Sequence, residues 1–208
     1  METSPLRSPS SSPSRSLAAV LAVGLLTALV GCAPQDGVAA EYDVGNQTYE
    51  SGDFRVESIA SEERGEPVVF DGVTEHGEAV SDDDFAGRVY VVNFWYAACG
   101  PCIAEAPMLE DVWQDFQAED VGFLGINIYD QPATARAFAA DNGITYPSVI
   151  DADSGQVKLA FAAATPIQAT PTTLVMDRQG RVAARIIGQL QSASILSTLV
   201  SDALAEDG

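Results

Sequence analysis

Two cysteines, Cys99 and Cys102, are separated only by Gly100 and Pro101 in the stretch WYAACGPCIAEAP, residues 95–107. Thiols at this spacing can supply half of a zinc site, a permanent bridge, or a dithiol that opens and closes with turnover. Zinc needs two more ligands. The third cysteine, Cys32, ends an apolar run near the N-terminus, and the one histidine, His76, stands upstream in the turn-like stretch EHGE. A bridge over so short a span closes a very small loop, and on the loop-entropy account it stabilises little. The residues therefore favour a redox pair over the other two uses.

That chemistry needs a thiolate, and the flanking elements provide one. RVYVVNFWY, residues 88–96, is a near-continuous apolar and β-branched run and reads as a strand buried on both faces. The residues after it repeat apolar side chains every three or four positions, at Cys102, Ala106, Leu109, Val112, Trp113 and Phe116. This is a helix with one core-facing stripe, in which Trp113 and Phe116 are core and Pro107 should introduce a kink. Cys99 then lies at the helix N-terminus, where free N–H groups and the helix dipole stabilise a thiolate. Cys102 falls on the same side, one turn later. Pro101 suits the first turn, where its missing N–H costs nothing.

The rest of the chain alternates strand and helix. VVF at 68–70 is strand-like, and EHGE between short apolar stretches reads as a hairpin with His76 on its surface turn. SDDD, with Ser81 or Asp82 as N-cap, reads as a capped turn, with a cation site at Asp82, Asp83 and Asp84 as the weaker alternative. VGFLGINIY is a second buried strand. DQPATARAFAADNG is a helix with Pro132 near its start and Gly143 at its end. ITYPSVID is a strand and SGQVKLAFAA a short helix. PTTLVMDRQGRVAARIIG is a strand, a turn and a strand, and QSASILSTLVSDAL is a closing helix. This order predicts an α/β sandwich with a mixed sheet.

Of the 208 residues, 10 are Lys or Arg and 30 are Asp or Glu, for a net charge of −20. Such a balance argues against nucleic acid and against adhesion to anionic lipid by charge. Residues 1–31 read as a leader: Arg7 and Arg15 in a Ser/Pro-rich start, then the apolar run LAAVLAVGLLTALVG. As a helix, residues 17–30 would span about 21 Å, short of the ~30 Å hydrocarbon core, which favours an export signal over a membrane span. The ending LVGC resembles the bacterial lipobox, which implies lipidation of Cys32. Residues 32–55 read as a flexible acidic tether and 56–208 as the folded domain. Export places Cys99 and Cys102 where a disulfide can form and persist.

NFWYAACGPC after a buried strand, with ATPTTLVMD later, resembles the thioredoxin superfamily over residues 56–204. The IAEAP that follows Cys102, and the stretch GITYPSVIDADSGQVKLAF, are similar to the exported, membrane-tethered TlpA/ResA-like branch of Redoxin type. The resemblance implies a thioredoxin-like three-layer α/β sandwich, with a mixed central β-sheet, helices on both faces and an N-terminal β-hairpin. It implies a redox-active Cys99–Cys102 disulfide, with Cys99 attacking and Cys102 resolving. Pro171 matches the cis-proline facing the pair, and Thr170 precedes it; both would contact substrate. Glu105, one helical turn past Cys102, can exchange a proton with it directly or through water. A helix-surface acid is the alternative reading of Glu105.

Two positions depart from the pattern. Asn93 falls where simple thioredoxins have a buried Asp, and an amide cannot shuttle protons, which makes Glu105 the better candidate. Ala98 stands where a Trp usually precedes the first cysteine, and Trp95 and Tyr96 on the preceding strand read as core rather than as its replacement. The resemblance implies no cofactor and no metal. It implies a monomeric reductase of protein disulfides on the extracytoplasmic face of a bacterial membrane, with an apocytochrome c as client and a membrane electron donor for re-reduction. The alternatives are a general exported disulfide reductase or isomerase and, in a different class, a copper-binding chaperone using the same two cysteines.

Overall fold

The apolar run at 88–96 folds as a strand with both faces covered. In the computed structural model, which describes residues 48–51 and 54–206, β5 (Tyr90–Trp95) is buried at every position. Around it lie β1 (Thr48–Ser51), β2 (Phe54–Ser58), β6 (Gly122–Asn127), β7 (Ser148–Ile150), β8 (Thr172–Met176) and β9 (Val182–Ile187). They form one seven-stranded sheet in the order β1-β2-β9-β8-β5-β6-β7. β5, β6 and β7 run parallel, whereas β8 is antiparallel to both β5 and β9. A two-stranded hairpin, β3 (Asp71–Val73) with β4 (Ala79–Ser81), is the one expected around EHGE.

The helices are α1 (Gly100–Phe116), α2 (Pro132–Asn142), α3 (Gln156–Ala164) and α4 (Ala193–Ala205). The period of two in β5 sorts its side chains onto the two faces. Val91 joins Leu109 and Val112 of α1 and Leu196 and Val200 of α4 in one core. Val92 and Phe94 join Val157 and Phe161 of α3 in the other. Helices on both sides of a mixed sheet make the three layers, as expected. α2 closes over the C-terminal end of β5, with Phe138 packed on Trp95 at a centroid separation of 4.4 Å.

Local signals account for the element ends. Pro132 opens α2, and Gly143, at φ 73°, closes it in the left-handed conformation that glycine adopts without a Cβ penalty. Ser192 caps α4 by accepting the Ser194 N–H. α1 continues through Pro107, which interrupts no element.

Two expectations change. VVF at 68–70 is not a strand. Val68 and Phe70 turn inward and Val69 outward, as in a strand, but Val68 N–H donates to Gly180 O and Phe70 N–H to Asp82 Oδ1, so no ladder forms. The sheet also begins before residue 56. β1 and the first two residues of β2 fall in the segment read as tether, because β2 finds an antiparallel partner in β9, with Arg55 opposite Ile187 and Val56 opposite Ile186. A strand that gets its order from a distant partner carries little local signal.

Candidate active site

β5 delivers the chain to the sheet edge at Trp95, and a tight turn carries it into α1. Tyr96 O accepts the Cys99 N–H at 3.2 Å, and Ala97 N–H donates to Asp130 Oδ2 at 2.6 Å. Asp130 is itself held by Asn127, whose Nδ2 donates to the same Oδ2 and whose Oδ1 accepts the N–H groups of Tyr129 and Asp130. Cys99 is the N-cap of α1, and its Sγ accepts the Cys102 N–H at 3.1 Å. An N-cap normally uses a side-chain oxygen for this bond. Here a sulfur takes it, and the bond strengthens when that sulfur is a thiolate. Cys99 and Cys102 form a disulfide with Cα atoms 5.2 Å apart, and both are buried.

The loop before β8 meets this turn. The Thr170–Pro171 peptide bond is cis, and Thr170 O lies 3.9 Å from Cys99 Sγ. Pro171 O is occupied by the Gly188 N–H, and Thr172 Oγ1 donates to Ala169 O, so the loop is fixed from both sides. An open groove of about 650 Å³ runs past Pro101, Thr170 and Pro171, flanked by Gln168, Gln189 and Gln191. Thr170 and Pro171 thus lie beside the cysteines.

Glu105 is not a surface acid. Its side chain is fully buried on α1, one turn past Cys102. Oε1 accepts from Asn93 Nδ2 at 2.9 Å and Oε2 from Leu190 N–H at 2.7 Å. Burial pushes its pKa up to about 7, although the bonds from Leu190 and Asn93 act the other way by favouring the carboxylate. A carboxyl poised near neutrality can both give and take a proton. Asn93 also donates to Thr173 Oγ1, which fixes the amide between β8 and α1.

A model of the Redoxin family matches residues 54–200. The chain belongs to the Redoxin family. Within the thioredoxin superfamily it is ResA-like. The thiol-disulfide oxidoreductase ResA of Geobacillus thermodenitrificans is 30% identical over 118 residues, which cover 57% of this chain and 65% of that protein. The thiol:disulfide interchange protein HelX of Rhodobacter capsulatus is 35% identical over 105 residues, 50% of this chain and 54% of that one. The matches thus span less than two thirds of these curated relatives. Among solved structures, a secreted thiol-disulfide isomerase from Corynebacterium glutamicum superposes with a TM-score of 0.65 at 26% identity, covering 78% of this chain and all of that one. A thioredoxin-family thiol:disulfide interchange protein from Chlorobium tepidum gives 0.62 at 28%, covering 68% and 97%.

Of the remaining residues singled out in this Redoxin-family chain, Trp95 and Tyr96 pack beside the cysteines, and the others lie elsewhere or outside the described residues. Cys32 falls outside the described residues. His76 sits on the β3–β4 turn with its side chain 62% exposed and its Nε2 3.7 Å from Glu75 Oε1. Asp82 accepts from the Phe70 N–H and Asp84 from the Ser81 N–H, and Asp83 is exposed. Trp95 and Phe116 are core, as read. Trp113 is half-buried and donates to Thr145 Oγ1. Tyr96 is half-buried, its ring edge-on to Tyr129. The residues missed from sequence are Asn127 and Asp130, which hold the cysteine turn, and the partners of Glu105. The NIYD spacing was a usable signal, because Asn and Asp commonly accept bonds from N–H groups two or three residues on.

Proposed function

We propose that this chain is a thiol–disulfide oxidoreductase that reduces disulfides in protein clients. The observation that carries the reading is the Cys99–Cys102 disulfide at the N-terminus of α1, with Thr170 O 3.9 Å from Cys99 Sγ and an open groove alongside. In the reduced form, the Cys99 thiolate attacks one client sulfur and the other leaves as a thiolate that takes up a proton. Cys102, losing its proton to Glu105 directly or through water, then attacks Cys99 Sγ in the mixed disulfide. This closes the Cys99–Cys102 bond and releases the second client sulfur as a thiolate, which takes a proton from Glu105 or water. Two electrons pass from the enzyme dithiol to the client disulfide, so each turnover leaves the enzyme oxidised and in need of an external reductant.

The setting we propose for it is export, a lipid on Cys32 and a membrane electron donor, supported by the leader-like run and the lipobox-like LVGC. An apocytochrome c, whose haem-binding cysteines must be reduced, is the client implied by the resemblance to the tethered branch. Equilibration of the Cys99–Cys102 pair in a dithiothreitol series tests direction. A potential near about −270 mV supports a reductase, and one near about −120 mV overturns it. Cys99→Ser should abolish reduction of a model disulfide, and turnover that survives would refute the assigned nucleophile. Cys32→Ala should move the protein from the membrane to the soluble fraction; retention on the membrane would refute the anchor.

A further inference from the structure

We propose that Tyr129, backed by Tyr96, is a specificity-determining residue that contacts an apolar or aromatic side chain next to the client disulfide. The inference rests on the oxidoreductase reading above.

Sheet order sets the geometry. β5 lies between β8 and β6, and it runs parallel to β6 and antiparallel to β8. The C-terminal ends of β5 and β6 and the N-terminal end of β8 therefore meet at one edge of the sheet. The cysteine turn follows β5 at that edge. On one side of it stands the Thr170–Pro171 loop with its groove, and on the other stands the loop after β6, which carries Tyr129. A peptide strand crossing Cys99 would leave the groove and reach that second loop.

Tyr129 is 70% exposed, unusual for so large a ring, and it does not stand alone. Its ring meets Tyr96 edge-on at 5.0 Å, and Tyr96 packs in turn on the cluster formed by Trp95, Cys99, Cys102 and Ala135. A second link joins the same two loops, from Ala97 N–H to Asp130 Oδ2. The exposed ring is thus held against Tyr96, which itself packs on the cysteine cluster, so contact with a client costs little further ordering. Ile103, 45% exposed one residue past Cys102, adds apolar surface at the same end of α1. Ala98, which precedes Cys99, is exposed and projects only a methyl group.

The test uses the pre-reduced full chain in single turnover with three probes: a disulfide-bonded peptide with Phe beside its cysteine, the same peptide with Ser there, and bis(2-hydroxyethyl) disulfide. Tyr129→Ala is expected to slow the Phe peptide about 5- to 10-fold, the worth of one aromatic contact. It should leave the Ser peptide and the small disulfide nearly unchanged, and Tyr129→Phe should behave as wild type. An unchanged Phe-over-Ser preference in Tyr129→Ala overturns the inference, as does an equal slowing of all three probes. A wild-type protein that reduces none of them overturns the oxidoreductase reading and this inference with it, an outcome separable from a failure of the variant alone.

Discussion

Asn93 and Glu105 share a buried hydrogen bond of 2.9 Å in which the amide donates and the carboxyl accepts. The residue that departs from the simple thioredoxin pattern is therefore the hydrogen-bond partner of the carboxyl proposed to exchange a proton with Cys102. An aspartate at 93 would be a second buried acid, whereas the amide is a neutral donor that holds Glu105 in place. The contest at Glu105 is between burial, which favours the acid, and two donors, which favour the carboxylate. Burial wins, leaving a pKa of about 7.

Stability should therefore fall as pH rises through the slightly acid range. Glu105 ionises near 4.5 in the unfolded chain and near 7 in the folded one. Between those values the folded state holds the extra proton, so unfolding becomes easier with each step up in pH; below 4.5 and above about 7 this contribution is flat. The full effect is about 3 kcal/mol. It is read as the difference between wild type and Glu105→Gln in urea unfolding of the oxidised protein at pH 5 and pH 8. Parallel pH dependences in the two proteins would refute the raised pKa. The pH–rate profile of disulfide reduction should likewise lose its inflection near 7 in Glu105→Gln.

Asn93→Asp should make that inflection move upward. It places a second carboxyl within hydrogen-bond distance of Glu105, and two such groups share one proton before either site ionises fully. The inflection should rise above 7, and stability at pH 8 should drop further below that at pH 5 than in wild type. A profile identical to wild type would mean that the new carboxyl turns away from Glu105.

The sequence made the cysteine pair legible because strand, dithiol and helix are contiguous, so that local periodicity alone puts Cys99 at a helix start. Glu105 was legible as a position, one turn past Cys102, but not as an environment. Asn93 reaches it from the neighbouring strand. Leu190, in the loop after β9, contributes a backbone N–H that leaves no mark in the side-chain pattern. The same limit hid β2, whose order comes from β9, and the pairing of Tyr96 with Tyr129, which unites two loops by sheet order. Residues 68–70 misled in the opposite way. Their in–out alternation is that of a strand, but their hydrogen bonds go to a turn carbonyl and a carboxylate.

Gly125→Ala should destabilise the fold beneath the cysteines. Gly125 on β6 sits between Asn93 of β5 and Ser148 of β7. A Cβ there would press into Ser148 Oγ and lie 2.8 Å from Trp95 Nε1, the two atoms that bond to each other at 3.2 Å. Overpacking of this kind costs about 1–3 kcal/mol and should lower the thermal midpoint by several degrees. An unchanged midpoint in a thermal melt of the oxidised protein would show that β7 can move aside.

Asp130 should matter through position rather than charge. Its Oδ2 accepts from both Ala97 N–H and Asn127 Nδ2, so Asp130→Ala strands two donors and frees the turn that sets Cys99 at the head of α1. Small displacements of a reacting group are costly, and the rate of disulfide reduction should fall by at least about tenfold. Asparagine can present its carbonyl oxygen to the same two donors, so Asp130→Asn should restore both the rate and the stability lost in the alanine variant. The informative comparison is the rate of Cys99 alkylation in the reduced proteins. If Asn behaves as Asp, the turn needs an acceptor at 130 and nothing more. If Asn fails as Ala does, the lost charge is responsible and the positional account is wrong.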